Sequence, residues 1–180
     1  MVLPIAYMAP TDWYRAYLAC PEKMEIEGWE SFEKQTCRNR CTISGSNGEE
    51  IRLSVPVKKV EHKQFTRDIE ISYQTRWQHQ HWISLVSAYK CTPFFDYYAE
   101  FFKPWYEKEI RFLWDLNCGL HETIMQLIMN SPRHVEGFAY RGTSDWKNED
   151  LNRWFGSGHS VLDILFEQGP STVESLKMKV

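Results

Sequence analysis

Residues 40–57 have the sequence RCTISGSNGEEIRLSVPV. The β-branched pair Thr42 and Ile43 leads into a turn rich in Gly, Ser and Asn, and apolar and polar residues then alternate from Ile51 to Val57. Alternation with a period of two beside such a turn predicts a β-hairpin. Because Pro56 has no backbone N–H to donate, the second strand is expected to end near it or to lie at a sheet edge.

The residues on either side of the hairpin divide the chain into a strand-forming half and a helix-forming half. Before and just after the hairpin we expect a short strand, a helix capped by Thr11 or Asp12, and further strands near residues 24–29 and 65–72. From Trp77 onward apolar residues recur about every 3.6 positions, which is typical of helices. The predicted helices span residues 77–88, 94–102, 107–117, 120–129 and 161–166.

These patterns predict an α/β fold of the α+β type. The N-terminal strands and the hairpin would pack against a mainly helical C-terminal half, in a single domain over residues 1–180. Residues 131–159 are polar and interrupted by Gly, so we expect a surface segment with one short helix at 149–155 that acts as a lid.

Composition argues against several classes of protein. The net charge of −3 gives no basic face for nucleic acid. No apolar run is long enough to span a membrane and no secretion signal is present, so a cytoplasmic protein is expected. The five cysteines contain no C-x-x-C pair, which indicates reduced thiols and no structural metal. The glycine motifs of nucleotide sites and the G-x-S-x-G and H-E-x-x-H motifs are missing, so no cofactor is predicted.

The segment that leads into the hairpin concentrates charged and reactive side chains. If the strand starts at Thr36, that residue, Arg38 and Arg40 share one face, and Cys37, Asn39 and Cys41 share the other. Two arginines on one face suit a phosphate or a carboxylate, so an anionic donor or a sugar nucleotide is the expected ligand. The alternative is that they form ion pairs with acidic residues earlier in the chain, namely Glu25, Glu27, Glu30 and Glu33.

Two further residue types could carry chemistry. Cys41 or Cys37 could act as a nucleophile if neighbouring cations lower its pKa, although a free cysteine commonly just fills the core. His81 lies on the helical stripe of Trp77 and Leu85, which predicts either a core histidine or a general base beside a pocket. The combinations of His121 with Glu122, and of His159 with Ser160 and Asp163, contain the residue types of acid/base sites but are common by chance.

Five stretches together resemble the WbqC-like protein family, in order and spacing along nearly the whole chain. They are Lys34-Gln35-Thr36-Cys37-Arg38-Asn39-Arg40-Cys41-Thr42-Ile43, Leu53-Ser54-Val55-Pro56-Val57, Trp77-x3-His81-Trp82-x6-Tyr89-x3-Pro93-Phe94-Phe95-x-Tyr97-Tyr98, Leu116-Asn117 and the segment 160–170. Many members have a His-Gln pair near the N-terminus, where this chain has Ile5-Ala6-Tyr7. A mechanism that needs that histidine therefore does not transfer to this chain.

The resemblance implies a transferase of bacterial surface-polysaccharide or amino-sugar (O-antigen) biosynthesis that moves an acyl or aminoacyl group to a sugar amine or hydroxyl. Arg38 and Arg40, with Tyr89 and Phe94, would bind the substrate. His81 would be the base, Asn39 would orient a carbonyl, and Cys41 would act only through a thioester. The alternative is a non-catalytic binding module for a sugar nucleotide or a partner enzyme. A carrier protein and a second copy of the chain are further candidate partners.

Overall fold

The hairpin is present in the computed structural model, which describes residues 2–19, 25–60, 63–129 and 158–177. Strands β3 (Arg40–Ser44) and β4 (Glu50–Ser54) pair antiparallel, as the alternation predicted. A smaller parallel pair precedes them, formed by β1 (Val2–Pro4) and β2 (Glu25–Glu27). The predicted lid at 131–159, apart from residues 158 and 159, lies outside the described residues.

Helices form the remaining layer, and the predicted α+β class is confirmed. In chain order the helices are α1 (Thr11–Ala19), α2 (Trp77–Tyr89), α3 (Phe95–Glu107), α4 (Leu113–Met129), α5 (Leu162–Gln168) and α6 (Thr172–Lys177). Short 3-10 turns lie at Thr66–Asp68 and Gly169–Ser171. Apolar side chains of both layers form one core, which includes Leu3, Trp13, Ile43, Leu85, Phe102 and Leu165.

Two predicted strands are wrong. Residues 34–39 form turns, so β3 begins only at Arg40 and the expected alternation from Thr36 does not exist. Between residues 65 and 72 the chain makes a 3-10 turn and isolated bridges to Ser31, Val57 and Phe112. Both segments are held by contacts with distant residues, which local periodicity does not show.

Two predicted helix breaks are also wrong. Pro104 lies inside α3, where it removes one backbone donor near the C-terminal end of the helix and is tolerated. Gly119 lies in the middle of α4, which is one helix where we expected two. A Cβ at Gly119 would sit 2.0 Å from the Trp105 ring, so glycine is required there because α3 and α4 approach closely.

Residues 158–163 lie between the start of α1 and strand β3, and backbone hydrogen bonds connect them to both. Thr11 donates its backbone N–H to the His159 carbonyl at 3.0 Å, and Val161 donates to Ala9 at 3.0 Å. On its other side the segment contacts β3, because Ser160 donates its backbone N–H to the Thr42 carbonyl at 2.8 Å. The start of α1, the hairpin and α5 therefore meet at one edge of the molecule.

Candidate functional site

The outer face of the hairpin carries two arginines. Antiparallel register places Arg40 opposite Ser54 and Thr42 opposite Arg52. The alternate residues, among them Cys41, Ile43 and Leu53, point into the core and are buried. Arg40 and Arg52 therefore share the outward face, and both are exposed.

A pocket of about 230 Å³ opens beside these arginines, and we call it the arginine pocket. Its lining consists of Met8, Pro10, Gln35, Thr36, Cys37, Arg40, Cys41, Thr42, Arg52 and Gly158. Its charged side chains are all cationic, because no Asp or Glu is part of this lining. The arrangement fits an anion that two guanidinium groups hold together.

The backbone around the arginine pocket is strained at two positions. Met8 has φ 43° and Gln35 has φ 67°, in the left-handed region that non-glycine residues rarely adopt, and both line the pocket. These are the only such residues in the described parts of the chain. Strain of this kind collects at functional sites, where the surrounding structure enforces it.

Arg40 and Arg52 differ in the contacts that a ligand would have to replace. Arg40 forms no ion pair within the described residues, and its nearest polar contact is Nε to the Ser54 hydroxyl at 3.4 Å. Arg52 faces Glu50 across 3.9 Å, and both side chains are exposed. An exposed pair of this length contributes little free energy, so an incoming phosphate can displace Glu50.

Arg38 lies away from Arg40, contrary to the expected shared face. Its side chain is 2% exposed and donates from Nε and Nη2 to the two carboxylate oxygens of Glu30, each at 2.5 Å. Glu30 was one of the acidic partners that the sequence offered. The turn at 34–39 directs Arg38 into the core. There its ion pair with Glu30 connects this turn to the segment around residue 30.

Asn39 holds the same turn in place. Its side-chain amide donates to the Val55 carbonyl at 3.1 Å, and its Oδ1 accepts the backbone N–H of Gln35 at 3.2 Å. The residue is buried, and both ends of its amide are occupied. Asn39 therefore supports the strained backbone at Gln35 rather than facing a substrate.

Both cysteines beside the hairpin are buried thiols. Burial raises the pKa of Cys37 to about 11, although the nearby Arg38 lowers it somewhat, and burial raises the pKa of Cys41 further still. At neutral pH neither is a thiolate, which is the nucleophilic form. The structure gives neither cysteine the lowered pKa that a thioester mechanism requires.

We expect iodoacetamide at pH 7 to alkylate Cys91, which is exposed, and to leave Cys37 and Cys41 unmodified in the folded protein. Cys20 lies outside the described residues, so the measurement uses a Cys20→Ser background. Peptide mass spectrometry compares the native protein with a urea-unfolded control, in which all the remaining cysteines should react. Rapid native labelling of Cys41 would restore it as a nucleophile.

His81 lies in the core beneath the hairpin and does not line the arginine pocket. Its Nδ1 meets the Tyr7 hydroxyl at 2.8 Å, and the Tyr7 hydroxyl also contacts that of Tyr106 at 2.9 Å. The backbone of Ser54 forms a further hydrogen bond with the imidazole. Burial lowers the pKa of His81 to about 4, so the ring is neutral at pH 7.

Tyr89 and Phe94 do not line the arginine pocket. Tyr89 is buried, and its hydroxyl donates to the Asp163 carboxylate; burial and this charge raise its pKa strongly. Phe94 is half-buried at the start of α3 and stacks on Tyr98 with ring centroids 6.0 Å apart. Tyr89 lines a second pocket of about 540 Å³, which also contains Ser44 and Asp163.

The structure adds site residues that sequence reasoning missed or discounted. Arg52 could be identified as a site residue only from the strand register, which places it opposite Thr42. His159 and Asp163 approach the hairpin at Ser44, with which both form hydrogen bonds. The spacing of four residues between His159 and Asp163 was the sequence pattern that could have indicated an interacting pair. Their proximity to Ser44 depends on tertiary structure.

The described residues give no sign of a metal centre or a membrane span. In residues 2–19, 25–60, 63–129 and 158–177, no group of three or more His, Cys, Asp or Glu could hold a metal ion. Within those same segments, no helix is both long and apolar enough to cross a bilayer.

Comparison with known proteins gives one match. A family model, that of the WbqC-like protein family, matches residues 17–136, which is two thirds of the chain. No curated protein and no solved structure matches significantly. The matched range contains Arg40 and Arg52 and excludes His159 and Asp163.

Proposed function

Because the chain belongs to the WbqC-like protein family, we propose that it transfers an acyl or aminoacyl group to a sugar amine or hydroxyl in bacterial surface-polysaccharide or amino-sugar biosynthesis. The resemblance of its motifs suggests this pathway. A cytoplasmic location is part of this proposal.

The observation that carries the proposal is the pair Arg40 and Arg52 on one hairpin face beside an otherwise uncharged pocket. A guanidinium binds phosphate oxygens through two parallel hydrogen bonds, so two of them suit a diphosphate or a phosphate-bearing acyl donor. Arg38 has no part in the proposed anion site, since its guanidinium is already paired with the Glu30 carboxylate.

The transfer would be direct, without a covalent enzyme intermediate. Cys37 and Cys41 remain protonated because burial raises the pKa of each thiol. The arginines would hold the donor through its anionic part and stabilise the charge that develops on its leaving group. The acceptor amine or hydroxyl would attack the donor carbonyl from solution.

One observation favours the second candidate function, a non-catalytic module that binds a sugar nucleotide. The lining of the arginine pocket includes no histidine and no carboxylate, so it offers no side chain that accepts a proton at neutral pH. A module would bind the anion through the same arginines and leave it unchanged. Incubation of the protein with a candidate donor and acceptor separates the two functions, because only the enzyme forms product.

We expect inorganic pyrophosphate to bind the protein at low ionic strength, and Arg40→Ala or Arg52→Ala each to weaken binding about tenfold. Isothermal titration calorimetry measures both effects. The matched control is Arg76→Ala, which removes an exposed arginine that does not line the pocket and should leave affinity unchanged. Absence of binding, or equal loss in all three variants, would overturn the arginine pocket as the anion site.

A further inference from the structure

We propose that His159, oriented by Asp163, is the general base of this site, and that it accepts the proton of the attacking sugar amine or hydroxyl. The inference rests on the proposed function and adds a residue to it. His159 lies outside the range that the family model matches. It adjoins Gly158, which lines the arginine pocket.

The carboxylate of Asp163 accepts several hydrogen bonds. Its Oδ1 accepts the backbone N–H of Ser44 at 3.2 Å and the hydroxyl of the buried Tyr89. Its Oδ2 accepts the Ser44 hydroxyl at 2.7 Å and lies 3.0 Å from His159 Nδ1. So many hydrogen bonds fix the position of the carboxylate.

The neighbours of Nδ1 determine the tautomer of His159. Its Nδ1 lies 2.6 Å from the Ser44 hydroxyl and 3.0 Å from the Asp163 carboxylate, whose oxygen can only accept a hydrogen bond. A lone pair on Nδ1 would face the lone pairs of this carboxylate oxygen, so the favoured tautomer carries the ring proton on Nδ1. A neutral imidazole protonated at Nδ1 has its lone pair on Nε2, which is the tautomer that an aspartate imposes on a catalytic histidine.

The other ring nitrogen, Nε2, has no close polar partner among the described residues. Its nearest charged atom is Oε1 of Glu50 at 3.6 Å, which is too long for a hydrogen bond. The His159 side chain is 38% exposed. No group of the described residues forms a hydrogen bond with this nitrogen.

The hairpin register relates the position of His159 to that of the arginines. Ser44 and Glu50 form one cross-strand pair of the hairpin, and Thr42 and Arg52 form the next pair on the same outward face. Two residues along a strand span about 7 Å. A donor held by the arginines would therefore extend its carbonyl toward His159, and Glu50 lies between Arg52 and the imidazole.

The arrangement differs from a serine hydrolase triad. In a triad the serine hydroxyl is bonded to Nε2 and gives its proton to the imidazole, whereas Ser44 meets Nδ1 and gives its proton to Asp163. Ser44 is therefore a positioning residue. The free Nε2 is left for the proton of a substrate.

The proposed transfer exchanges one bond at the acyl carbon for another and moves one proton. The acceptor nitrogen or oxygen forms a bond to the acyl carbon of the donor, and its proton passes to His159 Nε2. The bond between that carbon and the phosphate-bearing leaving group breaks, and the leaving group departs with the electron pair. The imidazolium then returns the proton to the leaving group or to water.

The test uses the wild-type protein, inorganic pyrophosphate and diethyl pyrocarbonate, which acylates a free imidazole nitrogen. We expect His159 to be modified readily, and saturating pyrophosphate to slow that modification at least about fivefold. His79 is exposed on α2 and serves as the internal control, since its rate should not change. Peptide mass spectrometry quantifies both sites.

Nitrogen-15 NMR of the histidine side chains completes the test and should show His159 protonated at Nδ1. A proton on Nε2 would overturn the inference. So would unchanged labelling of His159 while calorimetry shows pyrophosphate to be bound, and in that case the arginine site would stand alone. Failure of pyrophosphate to bind at all would overturn the proposed function and this inference together.

Discussion

Arg38→Ala is expected to lower the free energy of unfolding by about 3–5 kcal/mol. The variant leaves the Glu30 carboxylate, whose side chain is only 8% exposed, without the guanidinium that neutralises it. It also removes the donor to the Thr36 hydroxyl. Urea unfolding followed by tryptophan fluorescence measures the loss.

The matched control is Arg40→Ala, two positions further along. Arg40 is exposed and forms no ion pair within the described segments, so its replacement should change stability by less than about 0.5 kcal/mol. Arg38→Met combined with Glu30→Gln should recover much of the loss, because no charge remains buried. If Arg38→Ala and Arg40→Ala were equally stable, Arg38 would be free to serve as a ligand-binding residue.

His81→Ala is expected to lower the free energy of unfolding by about 3 kcal/mol at pH 7. The substitution opens a cavity beside Trp77 and leaves the Tyr7 hydroxyl without one of its two partners. The same urea measurement applies, with His79→Ala as the control on the exposed face of the helix. A stable His81→Ala protein that had lost transfer activity would instead support a catalytic role for His81.

The same urea measurement at pH 5 tests how the buried histidines affect the free energy of unfolding. The pKa values of His81 and His121 are lowered by burial to about 4, below the ordinary value of 6.5 that applies in the unfolded chain. Between these values the unfolded chain binds more protons, so the wild-type free energy of unfolding falls as pH falls from about 6.5 to 4. His81→Ala removes one of these two contributions and should show a shallower decline.

Local periodicity was sufficient where neighbouring residues decide the structure. The hairpin at 40–57 and the helix that begins at Trp77 follow from alternation and from a 3.6-residue repeat. The segment 34–39 could not be predicted in this way, since Arg38 resembles a surface residue until its burial against Glu30 is known. Likewise, the need for glycine at 119 arises from Trp105, which lies on another helix.

The residues of the candidate site also divide into those that local sequence predicts and those that depend on distant residues. Arg40 could be proposed from its residue type and its place at the start of a strand. Arg52 needed the hairpin register, which the turn fixes only once its length is known. Asp163 is 119 residues from Ser44 in the chain, and no local pattern signals their hydrogen bond.

The junction between residues 158–163 and the hairpin has a consequence for the order of folding. The hairpin is closed by a short turn and can form within microseconds, whereas Thr11 and His159 must meet across 148 residues. Closing so long a loop costs chain entropy before any contact compensates for it. The edge where anion and imidazole would meet is therefore expected to assemble late, and folding intermediates that already contain the sheet and the helices would still be without it.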